Sequence, residues 1–204
     1  ALLVGLARTA WLGPLLPASY FRVALVVHVD LLLVAWYLVM PALLWRHLGL
    51  LGGRGERTAF ALMAAGVLGM ALPGMAGDGQ AMLVNYVPFL VQPVFLAGLG
   101  VFLTGVGVAA GLAARGFRPG AGPEARAGGA GALCVLAALA SMAVVAARLA
   151  PRGLDEGALG AIFWVGGHLL QFGHTALMVT AFGLLLGGAP RGEAVLRRLY
   201  GLVG

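Results

Sequence analysis

The stretch ALGAIFWVGGHLLQFGHTALMVTAFGLLLG, residues 158–187, decides the fold, because it contains no charged side chain from end to end. An α-helix needs about 20 apolar residues to cross the hydrocarbon core of a bilayer, so this run is long enough to span a membrane. A polar side chain within such a span is costly and usually has a partner or a task. Two histidines, a glutamine and two threonines interrupt this one. The stretch is therefore predicted to be a membrane helix with a functional polar face.

The composition of the whole chain agrees with a membrane protein. Of the 204 residues, 61% are hydrophobic and 10% are charged, and the mean hydropathy is +1.00. These values exclude an ordinary soluble globular domain. The single cysteine, Cys134, excludes a disulfide framework and a cysteine metal site, and it is interpreted as a small packing residue.

Apolar runs of about twenty residues or more occur five times along the chain. The predicted spans are 19–45, 57–76, 83–113, 129–150 and 158–187. They lack a period of two, and only helices or closed barrels cross lipid, so all five are predicted to be helices. Residues 1–18 are interpreted as the tail of a preceding helix, and residues 114–128 as a cytoplasmic loop rich in Gly, Pro and Arg. The predicted fold class is all-α: a single transmembrane helical bundle over residues 1–204, with about five spanning helices and a partial N-terminal helix.

The placement of arginine predicts the orientation of these spans. Nine arginines follow the first, third and fifth spans, and four lie at the opposite ends. The larger group is Arg46, Arg54, Arg57, Arg115, Arg118, Arg126, Arg191, Arg197 and Arg198, and the smaller group is Arg8, Arg22, Arg148 and Arg152. By the positive-inside rule the larger group is cytoplasmic, so the first and last spans both run from outside to inside and the C-terminus is cytoplasmic.

This orientation predicts that two histidines lie at one depth. His28 is about eight residues into the first span and His168 about ten into the last, so both are expected roughly 12–15 Å below the outer surface. Two histidines at one depth suggest a shared cofactor layer. The alternative, in which each histidine hydrogen-bonds across helices, remains open.

The last span is also predicted to present an inward polar stripe. At 100° per residue, Gln171, His174 and Thr175 fall within one arc around His168. Small residues on this helix are expected to leave room for a flat, bulky group. They are Gly166, Gly167 and Gly173.

Three segments resemble the heme-copper oxidase subunit I superfamily and its nitric oxide reductase relatives. YFRVALVVHVDLLLVAWYLVMPALLW, residues 20–45, resembles the family's second helix, and WVGGHLLQF, residues 164–172, is similar to its sixth, in which Trp precedes the first copper-ligating His by four residues. NYVPFLVQPVFLAGLGVFLTGV, residues 85–106, resembles the fourth helix of a divergent subgroup. The resemblance runs from the end of the family's first helix through its sixth. It implies the N-terminal half of a subunit of the twelve-helix type.

The resemblance implies cofactor ligands within this chain. His28 would be an axial ligand of the low-spin heme, and His168 a ligand of copper or of non-heme iron. Trp164 would pack beside the metal centre. Gln171 and Thr175 would then be supporting or proton-path groups that orient the imidazole or a nearby water.

Other polar residues carry weaker expectations. His174 matches no family ligand and is predicted to form a hydrogen bond from helix to helix. His47 is expected to be interfacial. Asp30 is interpreted either as a buried hydrogen-bonding residue or as part of a proton path.

The chain departs from the family pattern in two ways. Leu170 and Phe172 stand where many oxidases have an acidic residue and a tyrosine, which puts proton pumping in question. The other copper ligands, the second ligand of the low-spin heme and the ligand of the high-spin heme belong to later helices, so this chain alone is not expected to build the reaction centre or to be active by itself.

The resulting hypothesis is the catalytic subunit of a terminal oxidase of the respiratory chain, which moves electrons through heme to a heme and copper (or iron) centre that reduces oxygen or nitric oxide. Its expected partners are the bilayer of a prokaryotic inner membrane, the remaining helices or other subunits, and an electron donor such as cytochrome c or quinol, with no nucleic acid. Two alternatives stay open: a b-type cytochrome with one heme between two histidines, and a cofactor-free transporter or assembly subunit.

Overall fold

The computed structural model describes a helical protein with one small hairpin. The described residues are 2–6, 8–11, 13–17, 19–84, 87–153 and 155–185. The helices are α1 (Leu2–Leu6), α2 (Tyr20–Asp30), α3 (Tyr37–His47), α4 (Gly53–Ala76), α5 (Pro93–Ala113), α6 (Pro123–Leu149) and α7 (Glu156–Leu185). A π-helical segment, Leu31–Trp36, joins α2 to α3 without a break.

Five of the described helical stretches are long and apolar enough to cross a membrane. They are Tyr20–His47, Gly53–Ala76, Pro93–Gly116, Pro123–Arg152 and Glu156–Leu185. The predicted all-α class and the predicted number of spanning helices are confirmed. The last two residues of the fifth predicted span, and the tail after it with Arg191, Arg197 and Arg198, lie outside the described residues.

The N-terminal segment is mostly turns. Within residues 1–18, α-helix is limited to α1 in the part that the structure describes, and a 3-10 turn, Gly13–Leu15, follows it. Whether α1 is the tail of a longer helix stays a prediction.

The predicted third span begins too early. Residues Gln80–Met82 and Phe89–Val91 pair as the antiparallel strands β1 and β2, and α5 starts only at Pro93. The reason is local. Proline has no backbone N–H and is tolerated at the first position of a helix but not in its interior, so α5 begins at Pro93. Gln92 is the N-cap of this helix, since its side-chain oxygen accepts from the backbone N–H of Phe95 at 2.8 Å. A short hairpin, rather than helix, therefore covers this end of the bundle.

The predicted loop 114–128 is shorter than expected. Helix α6 begins at Pro123, so the glycines that follow are helical. A Cβ on Gly129 would lie 2.3 Å from the backbone nitrogen of Phe117, and one on Gly128 would lie 2.8 Å from the side chain of Leu48. These glycines are thus contact points for neighbouring segments and not loop residues.

Helices α4 and α5 form the closest-packed pair. A Cβ on Gly98 would lie 2.6 Å from the backbone nitrogen of Met70, and one on Gly66 would meet the backbone of Phe102 at 2.5 Å. Small residues let membrane helices approach backbone to backbone, where dispersion and packing replace the hydrophobic effect as the driving force. The α4–α5 pair forms much of the core, since Met70 and Phe102 are fully buried.

Helix α6 orients the last helix relative to the first span. The indole N–H of Trp45, at the end of α3, donates to the carbonyl of Gly128 at 3.0 Å. Leu177, in the C-terminal half of α7, packs on Gly131. The C-terminal halves of α3 and α7 therefore both meet the start of α6, so the first and last spans run parallel.

Candidate functional site

The contact between Tyr37 and His174 gives the relative height of the two candidate ligands. The two rings stack with centroids 3.5 Å apart and planes 7° from parallel. His28 precedes Tyr37 by nine residues and His168 precedes His174 by six. At 1.5 Å per residue these offsets are about 13 Å and about 9 Å toward the same end of parallel helices. The candidate ligands thus lie within about 5 Å of one level.

His168 has the local geometry of a metal-ligating histidine. Its Nδ1 lies 2.6 Å from the carbonyl oxygen of Trp164, one turn earlier in α7. Because a carbonyl only accepts, Nδ1 carries the hydrogen of the neutral ring. Ligating histidines usually hold their tautomer through such a bond on the other nitrogen. The residue type and its support therefore fit copper or iron.

Trp164 lies beside His168, as the sequence suggests for a residue next to a metal centre. The ring centroids are 4.4 Å apart with the planes tilted by 46°. The indole is about half exposed, at 53%. The indole covers one side of the imidazole of His168, and about half of the indole itself stays exposed.

His174 differs from His168 in the use of its nitrogens. Its Nδ1 lies 2.9 Å from the carbonyl oxygen of Leu170 and its Nε2 lies 2.8 Å from the carbonyl oxygen of Tyr37. The predicted helix-to-helix hydrogen bond is confirmed. Both nitrogens of His174 lie against carbonyl oxygens within the bundle, so neither is directed at a metal site.

The predicted inward direction of the polar stripe on α7 holds for His174, which contacts Tyr37, but is wrong for Gln171 and Thr175. Gln171 and Thr175 are exposed and His168 is half-buried, while Gly166 and Gly173 lie on the buried side. Gly166 and His168 are two positions apart, so they lie about 160° apart around the helix axis. Because the glycines pack on α6, Gln171 and Thr175 turn away from the described bundle.

The room expected beside these glycines is occupied. The side chain of Met142 fills the space where Gly166 would carry a Cβ, and Cys134 fills that of Gly173. Both come from α6. Gly166 and Gly173 therefore serve helix packing and provide no cofactor pocket.

The threonine of the stripe bonds within its own helix. The hydroxyl of Thr175 donates to the carbonyl oxygen of Gln171 at 2.8 Å. Such back-bonding satisfies a hydroxyl in an apolar environment. The group that orients His168 is thus the carbonyl of Trp164, and a role for Gln171 or Thr175 near the metal stays a prediction.

Asp30 is buried, and the described residues offer its side chain no hydrogen-bond partner. The residue is 2% exposed, and neither carboxylate oxygen reaches a donor among the described residues. The expectation of a buried hydrogen bond is wrong. The π-helical segment begins at the next residue, and such segments often mark functional sites.

His28 is half-buried on α2, two residues before Asp30. Its neighbour Val27 packs on Gly74 of α4, where a Cβ would lie 2.9 Å away. His47, at the end of α3, is exposed, in agreement with an interfacial position. In the part of the chain that the structure describes, no three His, Cys, Asp or Glu residues form a group that could hold a metal ion. Any centre at His168 would therefore need further ligands from outside these residues.

Two features of this region have no counterpart in the sequence-based expectations. One is the acceptor of the predicted His174 bond, the carbonyl of Tyr37 four residues before Pro41, which a proline in an apolar run could have signalled. The other is an open groove at the Glu156 end of α7, which depends on the position of residues 83 and 84 and has no sequence signature.

The chain is similar to an uncharacterized protein of Aquifex aeolicus (strain VF5). The two are 32% identical over 201 residues, which is 91% of this chain and 48% of that protein. The chain thus spans about half the length of this relative. No protein-family model and no solved structure matches the chain.

Proposed function

We propose that this chain is part of the catalytic subunit of a heme-copper-type terminal oxidase or of a related nitric oxide reductase. His28 would hold a low-spin heme, and His168 would supply one ligand to copper or non-heme iron. When bound, these groups transfer electrons one at a time to oxygen or nitric oxide. The chain's own residues bind and orient the groups and exclude water around them.

The observation that carries the proposal is the contrast between two histidines on one helix. His168 lies near the level of His28, on the side of α7 that also carries the exposed Gln171 and Thr175. His174 instead contacts the carbonyl and the ring of Tyr37 on the first span. The position of His168 therefore supports it as the ligand, and the contacts of His174 support a structural role.

The uncovered stripe on α7 supports an assembly larger than the described helices. Polar side chains near the middle of a spanning helix rarely face lipid. Gln171 lies fifteen residues from the start of this thirty-residue helix and is exposed. Further helices, of the same protein or of another subunit, would cover this face and bring the remaining ligands. The length of the Aquifex relative is compatible with that addition.

The heme content of the purified, assembled protein tests the proposal. We expect a low-spin heme spectrum that His28→Ala removes and His47→Ala, the matched control at an exposed position, retains. A spectrum of one bis-histidine heme that disappears equally with His28→Ala and His168→Ala, without copper or non-heme iron, would instead identify a b-type cytochrome. Absence of heme from the assembled protein would favour a transporter or assembly subunit.

A further inference from the structure

An open groove lies between the hairpin connection and the first turns of α7. Leu83 and Val84 form one wall, and Glu156, Gly160 and Trp164 form the other. Its volume is about 540 Å³, within the range of small-molecule sites. The arginine distribution predicts that this end of α7 is the outer one, so we expect the groove to face the outer leaflet of the bilayer.

The length of α7 predicts how deep each part of the groove lies in the bilayer. Its thirty residues span about 45 Å, which matches a bilayer together with both of its headgroup layers. Glu156 begins the helix, so we expect it at the level of the lipid headgroups. Gly160 and Trp164 follow on the same helix face at intervals of four residues, and Trp164 is about 12 Å deeper than Glu156, beside the acyl chains. The groove therefore extends from headgroup to chain, as a bound phospholipid does.

Two side chains of opposite charge, four residues apart, belong to the headgroup end of α7. Glu156 is exposed, and so is Arg152, which ends the 3-10 turn before the helix. Neither forms an ion pair with any residue that the structure describes. Asp155 has a different task, because its Oδ1 accepts from the backbone N–H of Ala158 at 2.7 Å and caps α7. Glu156 and Arg152 thus remain available for charges from outside the bundle.

The separation of these two charges suits a zwitterionic headgroup. Four residues of chain span at most about 14 Å, and the two side chains do not pair with each other, so one molecule with a charge of each sign can bind both. A phosphatidylethanolamine headgroup carries a phosphate anion and an ammonium cation with three N–H donors. The trimethylated ammonium of phosphatidylcholine has no N–H donor for a carboxylate. A purely anionic headgroup, such as phosphatidylglycerol, would be repelled by Glu156.

We propose that this groove binds one phosphatidylethanolamine molecule of the membrane, an inference that does not depend on the proposed oxidase function. The ammonium group donates to the carboxylate of Glu156, and the phosphate accepts from the guanidinium of Arg152. The glycerol backbone lies over Gly160, where a Cβ would already come within 3.8 Å of Val84. One acyl chain packs between the indole of Trp164 and the apolar wall opposite.

Titration of the purified protein with single lipids, followed by native mass spectrometry, tests this site without any need for heme or metal. The probes are dioleoyl phosphatidylethanolamine, phosphatidylcholine and phosphatidylglycerol, which share their acyl chains and differ in headgroup. We expect one phosphatidylethanolamine to bind saturably and about tenfold more tightly than either of the others, because only its headgroup brings a charged N–H donor to Glu156. Equal affinities for the three lipids would show ordinary boundary lipid and overturn the proposal.

Charge variants at the headgroup end provide the second part of the test. Glu156→Gln should remove the preference for phosphatidylethanolamine over phosphatidylcholine, whereas Asp155→Asn, which keeps a capping side chain, should retain it. Arg152→Gln should weaken the binding of phosphatidylethanolamine several-fold, and Arg57→Gln, at the opposite end of the bundle, should not. Equal losses of preference in Glu156→Gln and Asp155→Asn would overturn the assignment of Glu156 to the headgroup.

Filling the groove distinguishes a specific site from lipid elsewhere on the surface. Gly160→Leu should abolish the saturable binding, whereas Gly100→Leu, on α5 outside the groove, should leave it intact because a Cβ there meets nothing within 4 Å. Glu156→Gln changes an exposed side chain, so it keeps the test decisive where Gly160→Leu does not fold. A preference for phosphatidylethanolamine that survives both Gly160→Leu and Glu156→Gln would overturn the proposal.

Discussion

The Nε2 atom of His174 lies 2.8 Å from the carbonyl oxygen of Tyr37, the backbone acceptor that Pro41 cannot satisfy. In a regular helix the N–H of residue 41 would donate to the carbonyl of residue 37, but proline has no N–H. An unpaired carbonyl is expensive in a membrane interior. The imidazole of α7 replaces the missing donor and fastens the last helix to the first span.

This relationship predicts a coupling between two substitutions. His174→Ala should lower the free energy of unfolding by about 1–3 kcal/mol, because a buried acceptor loses its donor. In a Pro41→Ala background, where residue 41 can donate, the same substitution should have a smaller effect. Thermal unfolding of the four proteins of this double-mutant cycle measures the coupling. Equal effects in both backgrounds would show that His174 does not serve the carbonyl of Tyr37.

The orphan carboxylate of Asp30 predicts a stabilising substitution. Replacement by valine, which has a similar volume, removes two buried acceptors that have no donor among the described residues. We expect Asp30→Val to raise the free energy of unfolding by about 1–3 kcal/mol, whereas Asp30→Asn, which keeps a polar group, should raise it less. Chemical denaturation in a fixed detergent compares the three proteins. A marked loss of stability in Asp30→Val would show that the carboxylate has a partner beyond the described residues.

The glycine contacts of α4 and α5 predict unequal effects of adding one methyl group. Gly98→Ala would place its Cβ 2.6 Å from the backbone nitrogen of Met70, so the two helices must separate. We expect a loss of about 1–3 kcal/mol in stability, as for other overpacked cores. Gly100→Ala is the control on the same helix, since its Cβ would meet nothing within 4 Å. Equal melting temperatures for the two variants would contradict the close packing of α4 against α5.

The arginine distribution predicts the sidedness of the spans. Nine arginines against four predict that the connections after the first and third spans are cytoplasmic. Reporter fusions within residues 48–52 and 117–122 should both report a cytoplasmic location, and a fusion within residues 150–155 an external one. An external location for either of the first two fusions would reverse the predicted orientation of the spans. His28 would then lie in the inner half of the membrane, and the groove at the Glu156 end of α7 would face the cytoplasm.

Much of the architecture follows from apolar length, because every segment that crosses lipid must satisfy its backbone internally. Apolar length therefore predicts the number of spans. The structural role of His174 is predicted separately, because a polar side chain within a span usually has a partner. Direction around a helix is harder to predict, since it depends on which face finds a neighbour. Gly166 packs against the side chain of Met142 and Gly173 against Cys134, both on α6, and His168 lies on the other side of the helix.

Local chemistry explains the other differences. By hydropathy, residues 83–92 belong to a span. The helix α5 nevertheless begins only at Pro93, because Gln92 caps its N-terminal end. The contact of His174 with Tyr37 and the groove beside Glu156 both join segments far apart in sequence. Pairings of this kind become visible only when the helices are packed.

Metal content of the assembled protein tests the central claim most directly, because it compares two histidines six residues apart on α7. Copper or non-heme iron should be bound by the unmodified protein, lost in His168→Ala and retained in His174→Ala, while thermal stability should fall mainly in His174→Ala. Retention of the metal in His168→Ala, together with its loss in His174→Ala, would contradict the assignment of His168 and the proposed oxidase.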